Sequence, residues 1–399
     1  MKLRKIHIGL VPILALILMP ILSLYSIVSW LSIGNVVVLV IFFARLVFHS
    51  KGKLKVRSFS IFLFWVILAA YNFLVSILNQ GNAVAMSNSV VILLFGIEIA
   101  LIDNSGISIE MIYPVAKCIT SIVVFFLVLQ VVTYYTTGTN AFSGKILPFE
   151  LMESGFFQME MRGRPSSFLP EPAHLAIFIS PVYLYALTKK EWRMIIVCLV
   201  GLILSTSSTG LVIAAIVPII YFLLESEMKL SKKILFAAAT LGIVLILYLL
   251  VSGNYYDNYS NKLTGESFQN SIRIFGQLEN MKHMSCTQWI TGIGLNNWRD
   301  YLATLGIQSS NYSNSLFFSI ISFGIVGTIV LIVGVIKASN IRFPIKDNRI
   351  SFMFLFLLLI VIFSDQILFN RNLLYLLVWL FSGRLLESDE DSTGGEYYE

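Results

Sequence analysis

Apolar residues run in long unbroken blocks along this chain, separated by short polar stretches rich in Lys, Arg, Asn and Ser. A helix that crosses a bilayer needs about twenty mostly apolar residues. Such blocks fall near residues 8–27, 30–48, 59–78, 86–102, 112–135 and 171–188, and again near 194–208, 210–224, 234–252, 313–336, 350–366 and 367–384. In two places, 194–224 and 350–384, a pair of short helices shares one apolar stretch. The pattern predicts an all-α polytopic membrane protein, one integral membrane domain over 1–399 with about twelve transmembrane helices. The first block has no small-residue cleavage site ahead of Trp30 and further spans follow at once, so it reads as a span and not as a signal peptide.

Composition supports this reading. Of the 399 residues 57% are hydrophobic and 13% charged, against about 25% charged in an ordinary soluble domain. That excludes a soluble enzyme, a nucleic-acid-binding domain, a disordered chain and a disulfide scaffold. The net charge of +6 reflects loops, because basic residues gather on the cytoplasmic side of membrane proteins. With the N-terminus inside, only eight of the 28 basic residues fall outside: Lys145, Arg162, Arg164, Lys262, Arg273, Lys282, Arg299 and Arg371. Both termini are then cytoplasmic, including the acidic tail 387–399. Two long loops, 136–170 and 253–312, lie on the extracytoplasmic face. Loops of that length in compact proteins are commonly functional. Within the second, Phe268, Ile272, Phe275, Leu278 and Met281 recur at helical spacing opposite Gln269, Arg273, Gln277 and Asn280, which predicts an amphipathic helix.

The external charges set the candidate chemistry. Arg162-Gly-Arg-Pro-Ser-Ser-Phe-Leu-Pro-Glu-Pro-Ala-His174 leads into the sixth span. Pro170 and Pro172 stiffen the backbone around Glu171 and make it the opening of a helix. An ionisable group at the membrane boundary is a functional candidate; the alternative is that Glu171 only satisfies helix-end amides and the helix dipole. Five of the eight external cations are arginines, whose forked guanidinium suits phosphate or carboxylate; headgroup contact is the alternative for each. Arg371, close to Asp365, also reads as a structural ion pair. Ser205-Thr-Ser-Ser-Thr-Gly210 caps two short helices, with hydroxyls that could meet a sugar or simply close the helix ends. Gly292-Ile-Gly-Leu-Asn-Asn297 lacks the strand, helix and lysine of a nucleotide loop and reads as a tight turn. Glu98 and Asp103 read as packing or capping residues, and neither the cysteines nor the histidines show metal spacing.

Over roughly 150–330 the chain resembles the Wzy-type O-antigen and capsular polysaccharide polymerases and, more distantly, the related O-antigen ligases. The resemblance rests on Arg164-Pro-Ser-Ser-Phe-Leu-Pro-Glu-Pro172 before a span, the Ser205–Gly210 turn, Arg273 ahead of Thr291-Gly-Ile-Gly-Leu-Asn-Asn297, and Ser313-Asn-Ser-Leu316 followed by Gly324-Ile-Val-Gly327. It implies a metal-independent, cofactor-free GT-C-like glycosyltransferase of the bacterial inner membrane with an extracytoplasmic active face. Such an enzyme moves a growing glycan from undecaprenyl diphosphate onto another lipid-linked repeat unit. Its expected partners are the undecaprenyl-diphosphate-linked oligosaccharide, membrane lipid, a chain-length regulator (polysaccharide co-polymerase) and the flippase of the same pathway, with no nucleic acid. The implied catalytic residues are Arg164 and Arg273 on the diphosphate and Glu171 as base. Arg162, Arg299, His174, Arg371 and Asn314 are the implied substrate-binding residues. Ligases similar to this chain carry an arginine where it has Ser207-Ser-Thr209 and a histidine where it has Ser313, which favours polymerase. The competing readings are the ligase and a lipid-linked oligosaccharide flippase; a flippase is expected to bury charges deep in several spans and to lack long external loops.

Overall fold

A computed structural model describes residues 2–28, 31–79, 83–138, 144–152, 164–224, 277–307, 314–339 and 349–392, with isolated positions between 229 and 242. In chain order the helices are α1 (Lys2–Leu22), α2 (Ile33–Phe48), α3 (Val56–Leu78), α4 (Ala83–Ser105), α5 (Ile109–Thr137), α6 (Pro172–Thr188), α7 (Trp192–Leu204) and α8 (Ser208–Leu224). Three short ones follow, α9 (Gln277–Met281), α10 (Cys286–Thr291) and α11 (Trp298–Thr304), then α12 (Ser315–Ser339), α13 (Arg349–Ser364) and α14 (Arg371–Ser392). Four of them, α3, α4, α5 and α12, hold stretches long and apolar enough to cross a membrane. Shorter apolar helices lie at Gly9–Leu22, Ile33–Phe48, Pro172–Thr188, Trp192–Leu204, Ser208–Leu224, Arg349–Ser364 and Arg371–Ser382. The chain is thus a polytopic helical membrane protein. The expected span near 234–252 and most of the expected amphipathic helix lie outside the described residues; Gln277–Met281 is the helical end of the latter.

One departure from an all-α protein separates α1 from α2. The apolar block expected to run to residue 27 stops at Leu22, and the chain forms a small antiparallel hairpin, β1 (Ser26–Val28) with β2 (Leu31–Ser32). The first long loop covers it: Tyr25 bridges Leu151, Ser26 N donates to the Glu150 carbonyl, and the Tyr25 hydroxyl accepts from the Ile146 amide at 2.8 Å. An edge satisfied in this way can sit among apolar helices without orphaned backbone groups.

At one end the helices finish level. Arg45 of α2 donates to the Ser105 carbonyl of α4, Arg57 of α3 pairs with Asp103 at 3.5 Å and bonds the Ala338 carbonyl of α12, and Lys117 meets Glu191 at 2.9 Å. Lys189 at the end of α6 faces Glu110 at the start of α5. This basic end is a common base line, and helix length then sets how far each helix reaches from it. The 17 residues of α6, 13 of α7 and 17 of α8 span about 20–25 Å at about 1.5 Å per residue, whereas the 29 of α5 span about 43 Å.

The segment Pro165–Leu169 fills the resulting step, buried against the middle of α5. Gln130 accepts from the Ser166 and Ser167 amides at 3.2 and 2.7 Å and donates to the Ser167 carbonyl, while the Ser167 hydroxyl bonds the Val123 carbonyl. One buried amide therefore satisfies a loop that has no ladder of its own. Gln130→Leu leaves those groups unpaired and should cost about 2–4 kcal/mol, read as a lowered melting midpoint of the purified protein; an unchanged midpoint would contradict this.

Two helices make the centre. Every residue of α6 from Pro172 to Leu187 is buried, and so are Leu373–Phe381 of α14. A helix apolar all round belongs inside a bundle. The two meet through Phe178 and Tyr375, stacked with ring centroids 5.4 Å apart, and the Tyr375 hydroxyl donates to the Phe178 carbonyl.

Candidate active site

Both central helices begin at the end opposite the basic one, and the polar groups converge there. Pro172 is the first residue of α6, where its missing N–H costs nothing. Glu171 is the N-cap residue in extended conformation, but its carboxylate makes no capping bond. One turn along, His174 is buried, and its Nδ1 lies 3.4 Å from Nη2 of Arg371. Arginine is always protonated and can only donate, so Nδ1 is the accepting nitrogen and the ring proton sits on Nε2. Arg371 also donates through Nη1 to the Ser23 carbonyl at 3.3 Å. It opens α14, whose first turn is capped by the Asn370 side chain taking the Asn372 and Leu373 amides. Two helix N-termini and a guanidinium thus share one neighbourhood, which favours an anion.

Asn314 joins from a third helix. Its Oδ1 caps α12 by accepting from the Phe317 amide at 2.9 Å. The next residue, Ser315, donates to the Asp365 carbonyl and accepts from the Ile367 amide, both at 2.7 Å. That clamp ties the start of α12 to the turn that leads into Arg371.

The structure therefore brings Glu171, His174, Arg371 and Asn314 to one end of α6, α14 and α12. Arg164 stands at the head of the buried segment that precedes Glu171. Arg299 does not join them. It is exposed on α11, whose Trp298 and Leu302 pack into a separate small core with Met281, Met284, Ile293 and Ile321. Arg162 and Arg273 lie outside the described residues. Arg371 does more than stand near Asp365, since it bonds His174 of α6 and the Ser23 carbonyl in the turn after α1. No sequence signal pointed to Ser23, and Ser315 stood within Ser313-Asn-Ser-Leu316 with no role assigned to it; both act through bonds to backbone groups across the bundle.

Two glycine motifs are also placed. The Ser205 hydroxyl is spent on the Leu202 carbonyl at 2.7 Å. A Cβ on Gly210 would come within 2.8 Å of that carbonyl and 3.4 Å of Ala176, so the turn packs directly on α6 just below His174. Gly292–Gly294 is not an isolated tight turn. Its amides bond across a break in α12, from Ile293 to the Ile321 carbonyl and from Gly294 to the Ser322 carbonyl, both at 2.9 Å. Gly324 makes the break, with φ at +67°. α3 and α4 hold the crossing in place: Tyr71 donates to the Thr291 and Phe323 carbonyls, Asn72 accepts from the Leu295 amide and Asn88 donates to the Leu295 carbonyl. The second long loop is in this way fastened into the bundle, as irregular backbone at membrane depth must be.

A family model described as O-antigen ligase matches residues 194–332. Over that span the chain is similar to the O-antigen ligase family. The match takes in about a third of the chain. No curated protein and no solved structure matches it. The matched segment contains α7, the Ser205–Gly210 turn, α8, the glycine crossing and the break in α12. Of the candidate residues it includes Arg273, Arg299 and Asn314; Glu171, His174 and Arg371 lie outside it.

Proposed function

We propose that this protein is a polysaccharide polymerase of the bacterial inner membrane, working at the extracytoplasmic face on undecaprenyl-diphosphate-linked glycans. The observation that carries the reading is the Arg371 guanidinium held against His174, one turn from the Glu171 carboxylate at the N-terminus of α6. The acceptor sugar's hydroxyl attacks the anomeric carbon of the growing glycan, the bond from that carbon to the diphosphate oxygen breaks, and undecaprenyl diphosphate leaves with the electron pair. Glu171 takes the hydroxyl proton. Arg371, with Arg164 and the loop arginines Arg162 and Arg273, meets the charge that grows on the leaving diphosphate; preorganised donors of that kind supply the largest share of many rate enhancements. His174, neutral, holds the orientation of Arg371, and Asn314 orients the glycan. No metal is invoked, and the arrangement is GT-C-like. The partners of the reaction are the lipid-linked repeat unit, the chain-length regulator and the pathway's flippase.

A second reading, the O-antigen ligase, is favoured by the description of the matched family. Deletion separates them. Loss of a polymerase leaves cells displaying single repeat units, whereas loss of a ligase leaves lipid-linked polymer unattached. Loss of a flippase would trap repeats in the cytoplasm, and a normal ladder of chain lengths would overturn all three.

A further inference from the structure

Glu98 is wholly buried in α4 among Phe95, Ile99 and Ile102, and neither carboxyl oxygen is hydrogen-bonded. A carboxyl group inside a membrane helix is expensive, which marks it as functional by default. The side chain of Asn35 in α2 faces it. α2 has only 16 residues, and Arg45 near its far end bonds Ser105 at the end of α4, so its first turn lies beside the middle of α4.

Asn35 is held from its other side. Its Oδ1 receives the Ser23 hydroxyl at 3.4 Å and the Ser32 hydroxyl, and its backbone amide donates to the Ser32 oxygen at 3.1 Å. With that oxygen occupied, the amide nitrogen is the group left to turn toward Glu98. Gly34 makes the arrangement possible, because a Cβ there would overlap the Ser23 hydroxyl and crowd the Met19 carbonyl. The Ser23 carbonyl is in turn the acceptor for Arg371. A continuous polar path therefore runs from Glu98 through Asn35 and Ser23 to Arg371 and His174, across α4, α2, the turn after α1, α14 and α6.

We propose that Glu98 is a positioning residue, which through Asn35 and Ser23 fixes the Arg371 guanidinium for the diphosphate of the lipid-linked substrate. This rests on the reading of Arg371 as a diphosphate ligand. The carboxyl anchors Asn35, Asn35 pins the turn at Ser23, and the Ser23 carbonyl sets where the guanidinium points. Groups one shell removed from an ion tune its binding by about 10–100-fold in comparable metal sites.

The test is binding of undecaprenyl diphosphate to the purified full chain in detergent micelles, with a melting midpoint recorded for every variant. Glu98→Leu and Asn35→Ala should each weaken binding by about tenfold. Glu98→Gln, which keeps a polar group of the same length facing Asn35, should recover most of the affinity. A merely structural role would lower the melting midpoint of Glu98→Leu and leave the affinity of its folded fraction at the wild-type value, which would overturn the proposal. Should Glu98→Leu fail to fold, Asn35→Ala decides. If Arg371→Ala removes binding while both relay variants bind like wild type, the relay alone is wrong. If Arg371→Ala binds like wild type, the diphosphate reading of Arg371 falls and the relay with it.

Discussion

Replacing Arg371 with alanine should reduce glycan transfer by about 100–1,000-fold, the usual loss when one preorganised donor is removed from a developing anion. The side chain donates in two directions at once, to Ser23 on one side and His174 on the other, so its plane is fixed before substrate arrives. Arg371→Lys should recover little of the lost activity. A lysine restores the charge but not the flat fork that reaches two partners while facing a phosphate. Both variants should insert and purify normally, because each replaces a half-buried side chain at the start of a helix whose cap, Asn370, is untouched. The ladder of chain lengths in a complemented deletion strain reads the outcome, and a wild-type ladder from Arg371→Ala would remove this residue from the mechanism.

Gly324→Ala should leave little folded protein to purify. The residue holds φ at +67°, and a Cβ on it would overlap the Ile290 carbonyl and press on the Gly292 amide. Gly292, itself at φ +80°, is blocked in the same way from the other side. Relief would require the crossing segment to move off α12, breaking the Ile293 and Gly294 bonds and the Tyr71 bridge together. Strain and lost hydrogen bonds sum to about 4 kcal/mol or more, a large part of the margin that keeps a protein folded. Gly9→Ala is the control, since nothing lies within 4 Å of a Cβ at that position. Monodisperse Gly324→Ala protein at wild-type yield would show that the break tolerates a side chain.

Much of this site could be read from the sequence, for identifiable reasons. The proline-framed Glu171 announces itself because a proline is best tolerated at the first turn of a helix, where Pro172 stands. Helix α6 is equally plain from its unbroken apolar run. The meeting of His174 with Arg371 is another matter. The two are 197 positions apart, and no local rule links the starts of two helices that touch only because both lie at the centre of the bundle. Gly292 and Gly294 show the same limit. Taken alone they spell a turn, and only the second glycine break, at Gly324, turns them into a crossing held by backbone bonds. Arg299 shows the converse: an arginine beside Asn296, Asn297 and Trp298 looks like a ligand group, and in the fold Asn297 and Trp298 pack inward while Arg299 stays exposed on α11.

The unequal helix lengths have a consequence for the surrounding lipid. Along α7, α8 and α13 the outward-facing apolar residues, such as Ile196, Val212 and Phe356, belong to helices of 13–17 residues, while Phe125 and Val132 face outward from the 29 of α5. A bilayer core of about 30 Å fits the tall side and overhangs the short one. Such mismatch costs fractions of a kcal/mol per Å and is relieved by local thinning. Headgroups beside α7 and α8 should therefore sit several ångströms lower than elsewhere around the perimeter, and a lipid drifting past that flank should be brought down toward the level of Glu171 and Arg371 by the shape of the membrane itself.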